Sequence, residues 1–90
     1  NNQIKTIPIE IGNLLNLKVL NICDNKITII PIEIGNLLIL KEKNWIGNGL
    51  YLFNNPIKFP SNSIISSGTK STIEYLNEKL INKSKFIKFL

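Results

Sequence analysis

The side chains in this chain that could do chemistry are few. Among 90 residues there is one thiol, Cys23, there are six carboxylates, Glu10, Asp24, Glu33, Glu42, Glu74 and Glu78, and there is no histidine. Without an imidazole, a mixed Cys/His zinc site and a Cys–His nucleophile pair are both out of reach, and a single cysteine closes no intramolecular disulfide. The carboxylates are scattered rather than paired. The stretch Gly47-Asn48-Gly49 lacks both the third glycine of a dinucleotide loop and the Lys-Ser/Thr pair of a phosphate loop. Asn82-Lys83-Ser84 fits a glycosylation triplet, but such triplets arise by chance in an Asn-rich chain. The expectation is a chain that is not an enzyme, with no catalytic residues, metal site, cofactor or small-molecule substrate.

Charge narrows the reading little further. All eleven basic residues are lysine, the formal net charge is +5, and Lys70, Lys79, Lys83, Lys85 and Lys88 face only Glu74 and Glu78 in the last thirty residues. A basic tail over 83–90 could meet an anionic membrane, but it is short and poorly amphipathic, so a solvated helix end is the preferred reading and no nucleic acid is expected. No apolar run reaches the length of a membrane span. The chain contains no methionine, and we read it as a piece of a longer one.

The elements that must position these residues are set by a repeat. Ile7–Leu15, "IPIEIGNLL", recurs unchanged at Ile30–Leu38, and 13 of the 17 positions from Asn2 to Lys18 are identical 23 residues further on. Written out from Leu17, the pattern is L-x-x-L-x-I-x-x-N-x-I-x-x-I-P-x-x-I-G-x-L. Alternation near Leu20 and Ile22 gives way to wider steps, which suits a unit that makes one short strand and returns by another route.

These residues resemble the leucine-rich repeats, in particular the 23-residue "IPxEIGNL" type of intracellular Ras-group-related and amoebal or slime-mould leucine-rich repeat proteins. The resemblance implies an α/β solenoid with short parallel strands on its concave face, closed by a C-terminal capping helix. Leu20, Ile22, Ile27, Ile30, Ile34, Leu37 and Leu40 are then expected inside, stacked on their counterparts in neighbouring turns. Asn2, Asn25 and Asn55 are expected to form an amide ladder that satisfies buried main-chain groups. Pro8 and Pro31 would start the convex side, and Gly12 and Gly35 would permit a tight bend there.

A strict 23-residue shift fails after Leu40, because it puts Lys43 in the slot of Leu20, and burying an unpaired lysine costs several kcal/mol. Treating 43–49, "KNWIGNG", as an insertion restores the motif as Leu50-x-Leu52-x-x-Asn55-x-Ile57. The third strand is therefore expected near Leu50–Phe53, with Gly47 and Gly49 turning the chain before it. Trp45 in the insertion is expected to fold back rather than to anchor a partner.

Residues 1–60 are thus read as repeats: a partial first turn, a full second turn and a third interrupted by 43–49. A cap follows over 61–82, with a helix at about 71–82 opened by a Ser71–Glu74 capping box and carrying Ile73, Leu76 and Leu80 on one face. An end closed by a helix without cysteines argues for the cytoplasm, since secreted relatives usually close theirs with disulfides.

With no active site, function rests on surface. The residues alternating with the buried ones on the strands, Val19, Asn21 and Cys23 beside Tyr51 and Phe53, with Asp24 at the rim, form the expected partner-binding face. The reading is a protein–protein interaction module of an intracellular signalling scaffold, whose partner the resemblance suggests is a small GTPase or another signalling protein. The alternative is a targeting segment of a larger kinase, phosphatase or GTPase whose catalytic domain lies outside these residues.

Overall fold

The two prolines explain the first regular elements. In the computed structural model, which describes residues 3–41 and 49–88, Pro8 and Pro31 stand at φ −67° and −66° and each opens a five-residue 3-10 helix, Ile9–Asn13 and Ile32–Asn36. Their rings preset the φ that a helical start needs. From each proline runs a chain of three-residue hydrogen bonds. Ile11, Leu14 and Leu17 donate to Pro8, Ile11 and Leu14, and Ile34, Leu37 and Leu40 donate to Pro31, Ile34 and Leu37, all at 2.9 to 3.1 Å. A 3-10 path has three residues per turn, so side chains three apart eclipse one another. This is the physical source of the wide apolar spacing after the asparagine. In the second turn a further 3-10 helix, Leu38–Lys41, continues the path.

Two three-residue strands, β1 (Val19–Asn21) and β2 (Gly49–Tyr51), pair in parallel with Leu20 opposite Leu50. An isolated parallel bridge joins Ile29 to Phe59 at the same offset of 30 residues, seven more than the 23 that separate the two 3-10 helices. The seven-residue correction to the repeat is therefore written into the register. The strand begins one residue earlier than expected: Gly49, assigned above to the insertion, donates to the Lys18 carbonyl from β2 at φ +133°, a backbone angle that glycine tolerates. The remainder of the insertion, with Lys43, Trp45 and Gly47, lies outside the described residues, as do Glu42 and Asn2.

After Phe59, a short helix α1 (Asn62–Ser66) leads into α2 (Thr69–Lys88). The second helix is longer than the 71–82 expected and includes most of the segment read as a tail. The Ser71–Glu74 capping box is not its start. Gly68, at φ +106°, ends α1 and redirects the chain three residues before Ser71, and the Thr72 hydroxyl donates to the Gly68 carbonyl at 2.8 Å.

The core is one cluster: Ile27, Ile30, Ile34, Leu37 and Leu40 of the second turn, Leu50 and Leu52 of the third, and Ile73 and Leu76 of α2. Leu20 and Ile22 are only half-buried, which corrects the expectation for them; among the described residues β1 has a strand on one side only. The glycines also act differently from the expected tight bend. A Cβ on Gly12 would stand 2.7 Å from the Glu33 carbonyl oxygen, and one on Gly35 would stand 2.6 Å from the Asn77 Cα in α2. They permit the next layer to approach rather than the chain to bend.

Candidate interaction surface

The described residues hold no group of three His, Cys, Asp or Glu side chains able to bind a metal, and no helix among them is long and apolar enough to cross a membrane. The candidate site is the sheet face turned away from the core. Alternation along the strands builds it: Leu50 and Leu52 point inward and are buried, whereas Val19, Asn21 and Phe53 point outward and are exposed, with Tyr51 half-buried between them. Phe53 is 66% exposed. The pairing sets Asn21 beside Tyr51, and the Asp24 amide donates to the Phe53 carbonyl at 3.1 Å.

Cys23 does not belong to this surface. It is 8% exposed, its amide donates to the Asn21 Oδ1 and its carbonyl accepts from the Asn25 Nδ2. The strand has already turned into the asparagine corner at that point, so the alternation that would expose Cys23 no longer holds.

The rim is rigid. Asp24 and Asn54 both adopt a left-handed backbone, φ 61° and 60°, and the Asn54 Nδ2 donates to the Asp24 Oδ1 at 2.7 Å. Aspartate and asparagine tolerate this region better than other side chains. Sequence reasoning missed Asn54, although shifting the chain by 30 pairs it with Asp24. Beneath the rim, the Asn25 Oδ1 accepts from the Ile4 amide in the preceding turn, while its Nδ2 donates to the Ile22 and Cys23 carbonyls. Asn55 repeats this geometry: its Oδ1 accepts from the Ile27 amide, and its Nδ2 donates to the Ile22 and Leu52 carbonyls. The expected ladder is present at Asn25 and Asn55.

Beside β2, a cleft of about 250 Å³ opens between Tyr51 and Phe53 on the strand and Ile65, Gly68 and Thr69 at the α1–α2 junction. Thr69, which nothing in the repeat pattern flagged, closes the strand edge at Leu50.

Short parallel strands alternating with helical returns, with an asparagine at the Asn25 and Asn55 corners, fit an α/β leucine-rich repeat fold. Residues 16–37 match the family model of the leucine-rich repeat. That span runs through β1, the Asn25 corner and the second 3-10 helix, which is one full turn. A comparison with curated proteins gave no match. Leucine-rich repeats are generally interaction elements rather than catalytic ones, and they generally bind proteins.

Proposed function

We propose that this chain is a protein-interaction module that binds its partner on the outward face of β1 and β2, with α2 as the terminal cap that covers the last turn. Phe53 carries the reading. A large aromatic side chain held mostly in solvent beside a strand is costly to leave uncovered, and such residues dominate interface energetics. Tyr51 at its side, Val19 and Asn21 on the neighbouring strand, and the Asp24–Asn54 rim add a polar border to an apolar centre.

The partner in this reading is a small GTPase or another signalling protein, and the module works in the cytoplasm as part of a scaffold. A sole cysteine that is buried and unpaired is compatible with a reducing compartment.

The test is affinity capture of partners by the native chain and by the double variant Tyr51→Ala plus Phe53→Ala, with circular dichroism showing both folded. Loss of at least about tenfold in partner affinity, about 1.4 kcal/mol, is expected. An identical set of partners at identical affinity would remove the proposal.

A further inference from the structure

The cleft of about 250 Å³ beside β2 shares Tyr51 and Phe53 with the outward face of the sheet, so it is continuous with the surface proposed above. Its strand wall is set by register. The Lys18 carbonyl accepts from the Gly49 amide, the Tyr51 carbonyl from the Ile22 amide and the Asp24 amide donates to the Phe53 carbonyl. By parallel alternation, Leu50 and Leu52 turn their main-chain groups the other way, towards the cleft and the α1–α2 junction.

Three of those four groups are bonded. The Thr69 hydroxyl takes both groups of Leu50, and the Asn55 Nδ2 donates to the Leu52 carbonyl at 2.9 Å. The Leu52 amide has no hydrogen-bond partner among the described residues, although Leu52 is 7% exposed. A buried donor without an acceptor costs free energy that a carbonyl brought by a ligand recovers. The Thr72 hydroxyl, also on the wall, is spent on the Gly68 carbonyl at 2.8 Å. What the cleft offers is an apolar space with one main-chain donor at its edge.

Size and edge chemistry choose the occupant. The space falls short of the roughly 300 Å³ at which small-molecule sites begin, and it suits a single large side chain. A whole added strand is excluded as well, because Thr69 already holds the edge at Leu50. The geometry points to an extended segment of the protein partner, which seats one leucine- or phenylalanine-sized side chain between Phe53 and Ile65 and offers one main-chain carbonyl to the Leu52 amide. Such a segment presupposes that the sheet face is the binding surface, and it specifies what the partner brings to that face.

The test is an amide-resolved NMR titration of the native chain with N-acetyl-leucine N-methylamide, N-acetyl-phenylalanine N-methylamide and, as control, N-acetyl-alanine N-methylamide. The first two are expected to bind saturably, to move the Leu52 amide signal downfield and to bind at least about tenfold more tightly than the alanine probe, which lacks their apolar bulk. Ile65→Trp fills the cleft from α1 and should abolish binding. Ile65→Ala, which shortens the wall, should weaken it about threefold or more, with circular dichroism showing both variants folded. No saturable movement at Leu52, or equal affinity for the alanine probe, overturns the proposed anchor. If Tyr51→Ala plus Phe53→Ala still loses its partners in that case, the sheet-face reading survives the failure. Saturable probe binding with partner capture untouched by the double variant removes the sheet-face reading, and with it the partner's side chain as the occupant. Sedimentation of the native chain as a dimer whose Leu52 amide is already protected from exchange also overturns the anchor, because a second copy then fills the cleft.

Discussion

The Thr69 hydroxyl bonds both backbone groups of Leu50: it accepts from the amide at 3.4 Å and donates to the carbonyl at 3.2 Å. One side chain thus stands where a neighbouring strand would otherwise supply two bonds, and an open strand edge is a site for unwanted pairing. Thr69→Val keeps the shape and removes both bonds. It is expected to lower unfolding free energy in urea by about 1–3 kcal/mol, with Thr69→Ser closer to native. Equal stability of the two variants would show that the hydroxyl does not hold the edge.

Three glycines separate two kinds of constraint. Gly35→Ala drives a Cβ into the α2 backbone, and Gly12→Ala drives one into Glu33. Gly68→Ala meets no atom within 4 Å but sits at φ +106°. Overpacking against backbone is expected to cost Gly35→Ala about 2–3 kcal/mol or more, whereas strain alone costs Gly68→Ala about 1–2 kcal/mol. Thermal melts of the variants rank them, and Gly35→Ala should also loosen α2 in hydrogen exchange.

Asn55→Ala removes a side chain that accepts from Ile27 and donates to the Ile22 and Leu52 carbonyls, which joins two turns at one corner. Leaving those main-chain groups without partners is expected to cost about 2–4 kcal/mol in a denaturant titration. Asn55→Asp should be nearly as damaging, because a carboxylate cannot donate to the two carbonyls.

Adjacent residues on the third turn should behave oppositely. Leu52 is buried in the core cluster, so Leu52→Ala is expected to cost about 2–4 kcal/mol. Phe53 is mostly exposed, so Phe53→Ala should change stability by less than about 0.5 kcal/mol while weakening partner binding. Parallel urea titrations check the pair. A large stability loss at Phe53 would mean that the ring covers its neighbours rather than waiting for a partner.

The sequence by itself determined the period, the residues that face inward in the second turn, the asparagine corners and the need for a seven-residue correction before Leu50. Each of these recurs in register, and stacked layers must present the same apolar groups to one another. Tertiary structure alone decided what depends on neighbours distant along the chain. The glycines are spaces for Glu33 and for α2 rather than bends. Cys23 is enclosed, and α2 starts at Thr69 because Gly68 redirects the chain. Leu20 and Ile22 remain half-buried despite their apolar character, and within the identical nine-residue copies Ile34 and Leu37 are fully buried where Ile11 and Leu14 are half-buried and exposed. Burial belongs to a pair of surfaces, and a local pattern specifies only one of the two.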